Sequence, residues 1–424
     1  MTTGIRLSHI RFAVALLDAT MRRMRVLFST TAGAGHFGPL VPLARACRDA
    51  GHDVLVAAPA SFASAVIAAG FDHAPFDDVP PEVMGAVFGR LPGLSTAEAN
   101  AVVIREVFAR LDAQAALPGV SATIESWKPD IVLSEPAEFG SWAAAERSGV
   151  PQIVVSIGLA AMGDTFLGYA AEPLAELRMI AGLPEDPQLD RLTAVPCFTF
   201  VPATLDGADT DAAGSPWRFR DASDRNRDAR LPQPWGDPQA HLVYASFGSV
   251  TGTVGPFAAI YPAVVEALAG IPERVLLTTG EGFDPESLGA LPKNIHVERW
   301  WPQVDIMPAC SAVVGHGGFG TTMVTLSSGL PQVVVPLFAA DQFLNGARVD
   351  EVGAGICLDD GIEAAATALP DALRRVLDEP SYRKSAERIA DEIAALPDVS
   401  AAVPIIEKFA SSIAEVPAIA NPAP

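Results

Sequence analysis

A strand-like run, a glycine-rich turn and an amphipathic helix follow one another at two places in the chain, and this repeated order limits the fold most strongly. At the first place, MRVLFST (24–30) leads through TAGAGHFG into the helical pattern PLVPLARACRDAG (39–51). At the second, CSAVVGHGGFG (310–320) leads into TTMVTLSSG. Strands that alternate with helices predict βαβ units and a parallel sheet.

Further strand-like runs extend this alternation through both halves of the chain. They are HDVLVAAP (52–59), PDIVLSEP (129–136), PQIVVSI (151–157), HLVYASFGS (241–249), RVLLTTG (274–280), NIHVERW (294–300) and PQVVVPL (331–337). The predicted fold class is therefore α/β, with two Rossmann-like, doubly wound halves. Such sheets bind ligands beyond the carboxyl ends of their strands, so we expect the site in the cleft between the halves.

The length of 424 residues suits two large domains, at about 150 residues per domain. Residues 205–240 are rich in Asp, Pro, Gly and Arg and lack a periodic apolar pattern, which predicts an interdomain linker. The segments 80–118 and 159–195 are less regular than their surroundings. The expected divisions are an N-terminal extension at 1–23, domains at 24–204 and 241–400, and a C-terminal helix and tail at 401–424.

Charge and composition disfavour several classes of partner. The formal charge is 29 − 50 = −21, which opposes binding to nucleic acid or to an anionic membrane surface. No apolar run reaches the ~20 residues that span a bilayer, so we expect no stable membrane association. Unpaired cysteines predict buried thiols in a reducing, cytoplasmic compartment. They are Cys47, Cys197, Cys310 and Cys357.

Both glycine-rich turns match the pattern G-x-G-x-x-G, at Gly33, Gly35 and Gly38 and at Gly315, Gly317 and Gly320. A dinucleotide site also needs an acid at the end of the next strand to bind the ribose. Pro59 and Ser61 stand there instead. An NAD- or FAD-dependent dehydrogenase is disfavoured and is kept as an alternative.

His36 lies in the first turn, at the mouth of the predicted cleft. An imidazole suits general-base catalysis near neutral pH, and it needs a partner that fixes its tautomer. Ser134 and Glu135, at the end of another strand of the same half, are the candidates. The alternatives are structural: His36 caps the following helix, and Glu135 is an acid that a helix N-terminus favours.

The pair Asp209 and Asp211 forms D-x-D, a pattern that some sugar-transfer enzymes use to hold a metal. Because it lies in the predicted linker, we interpret it as a solvated loop. No cluster of His and Cys has metal-ligand spacing, and no serine stands in G-x-S-x-G. We therefore expect neither a metal nor a cofactor.

Four motifs in the second half follow one another in a specific order: FGS (247–249), RWWPQ (299–303), GHGGFGTT (315–322) and AADQFLN (339–345). With them the chain resembles the inverting nucleotide-sugar glycosyltransferases of GT-B fold. It is most similar to the bacterial branch that glycosylates macrolide, polyketide and enediyne natural products. The resemblance extends from about residue 24 to residue 410. It implies an acceptor-binding first domain and a nucleotide-sugar-binding second domain.

The resemblance also implies roles for individual residues. Trp300 stacks on the nucleotide base and Gln303 lies at the base edge. The diphosphate is held by Ser249, His316, Gly318 and Thr321. Asp341 and Gln342 bind the sugar hydroxyls, His36 deprotonates the acceptor, and Glu135 orients His36. Members of the family often carry Asp at the position of Glu135.

Position 324 departs from the pattern of the UDP-sugar enzymes. Those enzymes commonly place Glu there to bind the ribose hydroxyls, whereas this chain has Val324. An apolar side chain better tolerates a 2′-deoxyribose, so we expect a dTDP-sugar as the donor substrate. A UDP-sugar remains the alternative.

The implied reaction is a single inverting displacement without a metal, because helix-start amides and His316 stabilise the departing diphosphate. The acceptor is expected to be an apolar aglycone. Residues that line its pocket, or alternatively belong to the core, are Phe88, Phe108, Trp142, Met162 and Phe166. Two rival functions are a non-catalytic auxiliary protein and a lipid glycosyltransferase on the same scaffold. A homodimer is left open.

Overall fold

The computed structural model describes residues 22–207, 215–221 and 228–412. The strands are β1 (Arg25–Ser29), β2 (Asp53–Pro59), β3 (Asp72–Phe76), β4 (Ile131–Ser134), β5 (Gln152–Val155), β6 (Cys197–Thr199), β7 (Trp217–Arg218), β8 (Leu242–Ser246), β9 (Arg274–Thr278), β10 (Ile295–Glu298), β11 (Ala312–Gly315), β12 (Gln332–Val334) and β13 (Gly355–Cys357).

Among the described residues these strands form two parallel sheets. One has seven strands in the order β3-β2-β1-β4-β5-β6-β7, and the other has six in the order β10-β9-β8-β11-β12-β13. Each sheet reverses its direction of growth beside its first strand, between β1 and β4 and between β8 and β11. The prediction of two doubly wound α/β halves is confirmed.

Helices cover the faces of both sheets. They are α1 (Ala34–Phe37), α2 (Leu40–Asp49), α3 (Ala63–Ala68), α4 (Pro81–Phe88), α5 (Thr96–Val102), α6 (Ala113–Trp127), α7 (Phe139–Ser148), α8 (Ala160–Ile180), α9 (Asp190–Thr193), α10 (Ala203–Asp206), α11 (Ile260–Ala267), α12 (Gln303–Ile306), α13 (Phe319–Ser327), α14 (Ala340–Glu351), α15 (Ile362–Asp378), α16 (Pro380–Ala395) and α17 (Val403–Ser412). A π-helical segment, Val103–Asp112, joins α5 to α6. Short 3₁₀ turns occupy Ala60–Phe62, Thr251–Thr253, Gly255–Ala259, Pro285–Leu288, Met307–Ala309 and Val399–Ala402.

The central strand β1 illustrates why these apolar runs become buried strands. Successive side chains of a strand point to opposite faces of the sheet. Val26 and Phe28 pack into the hydrophobic cluster that includes Leu43 of α2, whereas Leu27 packs into a second cluster with Val120 of α6. A strand covered by helices on both faces is apolar throughout, as parallel sheets require.

The segment 205–240, expected as a linker, contributes a strand to the first sheet. β7 pairs in parallel with β6, and Phe198 lies opposite Trp217 in the register. The Trp217 ring packs 5.8 Å from that of Phe198 and 5.4 Å from that of Phe409 on α17. A two-residue strand is too short to give an alternating pattern, so the sequence does not reveal it.

The end of the described chain packs against the first domain. Val399, Val403 and Ile406 join Met24 and Cys47 in one hydrophobic cluster. The chain therefore crosses back after the second sheet and covers the helix layer of the first.

The segments 80–118 and 159–195 are mostly helical, and their structure is more regular than their sequences suggest.

Within the described parts of the chain, no helix is both long enough and apolar enough for a bilayer crossing. Asp209, Asp211 and most of the predicted extension 1–23 lie outside the described residues.

Candidate active site

His36 and Glu135 meet at the carboxyl edge of the first sheet. The turn after β1 places His36 on the short helix α1, and Glu135 directly follows the adjacent strand β4. Nδ1 of His36 lies 3.2 Å from Oε1 of Glu135. The structure thus brings together the two residues that the sequence links as a base and its orienting partner.

Glu135 is a buried anion held by several donors. Its side chain is 1% exposed. Oε1 accepts from the backbone N–H and the hydroxyl of Thr31, at 3.2 and 3.0 Å, and Oε2 accepts from the N–H of Ala137 at 2.6 Å. Burial disfavours the charged form, but His36 and these donors outweigh it, so the pKa of Glu135 is below its usual value.

The ionised carboxylate beside Nδ1 favours one tautomer of His36. A carboxylate only accepts hydrogen bonds, so we expect Nδ1 of a neutral His36 to carry the proton and Nε2 to keep a free lone pair. Burial opposes the charged form of His36, but the charge of Glu135, followed by those of Asp341 and Asp112, raises the pKa above the ordinary 6.5. Such an imidazole can accept a proton at Nε2 and hold it as an imidazolium.

Asp112 is a site residue that the sequence analysis misses. It ends the π-helical segment, one turn beyond Phe108, and π-helical turns are often found at functional sites. Burial raises the pKa of Asp112 to about 7; His36 lowers it, and Glu135 and Glu138 raise it further. Its spacing of four residues from Phe108, a predicted pocket residue, is the one sequence signal that could have indicated it.

Two of the predicted acceptor-pocket residues form an aromatic wall beside the base. The ring of Phe108 lies 5.3 Å from the imidazole of His36, and the ring of Phe166 on α8 lies 5.9 Å from that of Phe108, nearly parallel. This wall gives the side of the cleft next to His36 an apolar surface.

The other three predicted pocket residues are placed differently. Trp142 is 3% exposed and packs in the core of the first domain, with the guanidinium of Arg178 lying 5.2 Å over its ring. The prediction that Trp142 lines a pocket is therefore corrected, because α7 turns it inward. Phe88 ends α4 and is 47% exposed, and Met162 is half-buried in the first turn of α8.

The second glycine-rich turn ends in a helix start that can hold an anion. Gly318 is the N-cap residue of α13 and supplies no side-chain cap, so the first amides of the helix are available to a ligand. Gly317 has a φ of +83°, and a Cβ there would lie 2.5 Å from the carbonyl oxygen of Gln342. The turn therefore requires glycine both for its conformation and for the close approach of α14.

The ring of His316 lies between Gly318 of the same turn and Gly248 of the loop after β8. A Cβ at Gly248 or at Gly318 would lie 2.8 or 2.4 Å from Nε2 of His316. Burial lowers the pKa of His316 to about 4, although a backbone contact with Ser246 opposes the shift. His316 is therefore neutral at pH 7 and can donate a hydrogen bond without carrying a charge.

One residue predicted to bind the nucleotide contacts this helix start directly, and two others are exposed. Nε2 of Gln303 donates to Oγ1 of Thr321 at 2.9 Å, which joins the start of α12 to the first turn of α13. Trp300 is 67% exposed, so its ring face is open to a ligand. Ser249 is exposed in the loop after β8.

The start of α14 places Asp341 and Gln342 beside the same turn. Oε1 of Gln342 accepts from the N–H groups of Leu337 and Phe338, at 2.9 and 3.1 Å. Nδ2 of Asn345, a motif residue to which the sequence assigned no role, donates to the carbonyl of Gly317 at 2.8 Å. Burial raises the pKa of Asp341, while nearby amides and His36 oppose the shift.

Charged groups from the two domains interact across the cleft. Asp341 of the second domain and His36 of the first act on each other's pKa values across the cleft. On the side of the first domain, His36 contacts Glu135 and lies beside the aromatic wall. On the side of the second domain are the amides at the start of α13 and the neutral imidazole of His316. This arrangement can bind a phosphorylated ligand and deprotonate an apolar molecule next to it.

Known sequence families match both halves of the chain. The family described as “Erythromycin biosynthesis protein CIII-like, N-terminal domain” matches residues 45–194, and the corresponding “C-terminal domain” family matches residues 263–409.

Individual relatives are similar over nearly the whole chain. “L-demethylnoviosyl transferase” of Streptomyces niveus is 34% identical over 88% of this chain and 95% of the relative. “TDP-daunosamine transferase DnrS” of Streptomyces peucetius is 30% identical over 91% and 97%. The crystal structure of “the glycosyltransferase SnogD from Streptomyces nogalater” superposes with a TM-score of 0.71 at 25% identity, over 92% of this chain and 100% of that one.

Proposed function

The chain belongs to the erythromycin biosynthesis protein CIII-like glycosyltransferases of GT-B fold, which serve bacterial natural-product biosynthesis, and on that premise we propose its reaction. The protein transfers a deoxysugar from a dTDP-sugar to a hydroxyl of an apolar aglycone. His36 is the general base and Glu135 orients it. The observation that carries this proposal is the 3.2 Å contact of His36 with a buried carboxylate, which leaves Nε2 free beside the aromatic wall.

The reaction is a single displacement at the anomeric carbon. The acceptor oxygen forms a bond to that carbon while the bond from the carbon to the β-phosphate oxygen breaks, and the configuration inverts. Nε2 of His36 takes the hydroxyl proton, and the electron pair leaves with dTDP. The amides at the start of α13 and the neutral His316 stabilise the negative charge that develops on the diphosphate.

The donor assignment rests on Val324 and on the name of one relative. Val324 lies about one helical turn beyond Thr321 on α13, which is about 4.5 Å further from the start of the helix at 1.5 Å per residue. It packs against the apolar cluster of Leu242 and Met307 and offers no hydrogen-bonding side chain to a 2′-hydroxyl. The relative named TDP-daunosamine transferase supports a TDP-linked donor.

Ligand-induced stabilisation tests the donor. At 100 times Kd, dTDP is expected to raise Tm by about 3–6 °C, because a ligand of the native state stabilises it by mass action. UDP is expected to give a smaller shift. The measurement is a thermal unfolding series with dTDP, UDP and NAD at matched concentrations.

The variant Val324→Glu sharpens this test. A carboxylate at this position can bind ribose hydroxyls, so the preference is expected to move towards UDP. Val265→Glu, a half-buried position on α11 outside the site, serves as the matched control for introducing the charge. A stronger response to UDP in the unmodified protein would keep the enzyme class and remove the dTDP assignment.

The acceptor pocket is tested by a pair of aromatic substitutions. Phe108→Ala is expected to raise the acceptor KM about 10-fold or more, because it removes the ring beside His36 from the apolar wall. Trp142→Phe is expected to lower the stability by about 1–3 kcal/mol through its core position while leaving the acceptor KM near its original value. Steady-state kinetics and thermal unfolding separate the two results. An unchanged KM in Phe108→Ala would remove Phe108 from the pocket.

A further inference from the structure

Asn100 joins the first domain to the donor-side loop of the second. It lies on α5 (Thr96–Val102), and its side chain reaches residues 338–340, directly before Asp341. Nδ2 donates to the carbonyl of Phe338 at 3.0 Å, and Oδ1 accepts from the N–H of Ala340 at 2.9 Å. We call these two hydrogen bonds the cross-domain latch.

The amide of Asn100 is held in one orientation. Its second N–H donates to the carbonyl of Thr96 at 2.7 Å, one turn earlier on the same helix. Because two carbonyls need a donor and one N–H needs an acceptor, only one placement of the amide oxygen and nitrogen satisfies all three partners. The helix is itself fixed at its start, where Ser95 and Glu98 form a reciprocal capping box. Asn100 is therefore presented to the cleft rigidly.

The cross-domain latch supplies a hydrogen-bond acceptor that the N-terminus of α14 lacks. The first N–H groups of a helix need acceptors from outside the helix, and the N-cap residue usually provides one. The N-cap residue of α14 is Ala339, which has no side-chain acceptor. Oδ1 of Asn100 takes that place from the other domain and binds the first N–H of α14.

The position of this contact links it to the reaction. The loop is held from its own side by Oε1 of Gln342, and from the opposite domain by Asn100. Asp341 follows Ala340 directly and interacts across the cleft with His36. Fixing residues 338–340 therefore fixes the distance between the donor-side carboxylate and the base.

We propose that Asn100 is a positioning residue, which caps α14 across the cleft and sets the donor-side loop against the acceptor domain for transfer. This inference rests on the proposed function, because it assigns the loop a part in holding the sugar. Asn100 itself touches neither reacting atom, and it acts through Asp341 and Gln342.

The test compares Asn100→Ala and Asn100→Asp with Thr96→Ala. Thr96 is exposed one turn earlier on the same helix, so its truncation controls for changes in α5 itself. Asn100→Asp keeps an acceptor for the N–H of Ala340, but it loses both donated bonds and adds a negative charge near Asp341. Hydrogen exchange of the Ala340 amide, transfer kcat and donor hydrolysis without acceptor are measured for each variant.

In Asn100→Ala we expect the Ala340 amide to exchange faster and kcat to fall by about 10- to 100-fold, because small misplacements of reacting groups have effects of this size. The ratio of donor hydrolysis to transfer rises, because the loosened loop admits water. The acceptor KM and the stabilisation by dTDP change little, since the aromatic wall and the start of α13 are untouched. Asn100→Asp loses kcat as well while retaining more protection at Ala340, and Thr96→Ala behaves as the unmodified protein.

Unchanged exchange at Ala340 in Asn100→Ala would overturn the latch, and so would faster exchange with an unchanged kcat. The proposed function and the positioning role of Asn100 can be refuted independently. An unmodified protein without transferase activity would overturn the proposed function, whereas the exchange of the Ala340 amide still decides whether the bond to Asn100 protects α14. If Asn100→Ala does not fold, an unchanged kcat and an unchanged hydrolysis ratio in Asn100→Asp, which lacks both donated bonds, would overturn the proposal.

Discussion

His36→Ala is expected to lower kcat by about 10²- to 10⁴-fold for an aliphatic hydroxyl acceptor, the range that a positioned general base contributes. The reason is geometric: Nε2 of His36 holds the lone pair that faces the cleft, because Nδ1 is directed at Glu135. Binding of dTDP should stay the same, since the start of α13 belongs to the other domain. Steady-state kinetics and the thermal shift with dTDP together check this result.

The matched control is His241→Ala. His241 is exposed and precedes β8, so it lies at the opposite edge of the sheet from the site. Its removal should leave kcat and dTDP binding intact. An acidic phenol is unsuitable as the acceptor, because it ionises with little help. Near-normal turnover of an aliphatic acceptor by His36→Ala would refute the assignment of the base.

The unmodified enzyme should also show the protonation of His36 in its pH profile. The base functions only when it is neutral, so kcat/KM increases as the pH rises through the pKa of His36. Because Glu135 raises that pKa, the half-maximal rate is expected above pH 6.5. A profile that is flat from pH 6 to pH 9 would contradict this expectation.

Glu135→Gln is the second change with a large expected effect. We expect kcat to fall by about 10²- to 10⁴-fold, as when a histidine base loses the carboxylate that fixes its tautomer. A glutamine amide can donate to Nδ1, which favours the tautomer whose proton sits on Nε2, and that tautomer cannot accept the hydroxyl proton. The residual activity should follow a different pH profile.

The direction of that pH change follows from charge. Glu135 is the main group that favours the charged form of His36, so its neutralisation lowers the pKa of His36. The rising limb of the profile therefore moves to lower pH while its plateau falls. Measuring kcat/KM between pH 5 and pH 9 for both proteins tests this shift.

Glu138→Gln controls for the loss of a buried carboxylate nearby. Glu138 caps α7, and it accepts from the hydroxyl of Ser29 at 2.6 Å and from the N–H of Ser141 at 3.1 Å. Its substitution is expected to lower stability and to leave the position of the pH profile almost unchanged. The assignment of Glu135 fails if both variants move the profile equally, because the shift would then not depend on contact with His36.

The short strands show which elements of the sheets a local sequence pattern can predict and which it cannot. β3 reads DHAPF and contains a proline, which a sheet tolerates at its edge, where β3 lies. β6, β7 and β13 have three, two and three residues. No periodic pattern exists in such short segments, and only the neighbouring strand makes them part of a sheet.

Local sequence patterns were sufficient to predict the two doubly wound halves, their glycine-rich turns, and the order of motifs that places His36, Glu135 and His316 at strand ends. These features depend on local periodicity and on turn chemistry, which neighbouring residues specify. The packed structure was needed to show that Trp142 lies in the core, that the charges of Asp112 and His36 interact, and that Asn100 caps a helix 240 positions away. Burial and long-range contacts arise when the domains pack, so no local pattern encodes them.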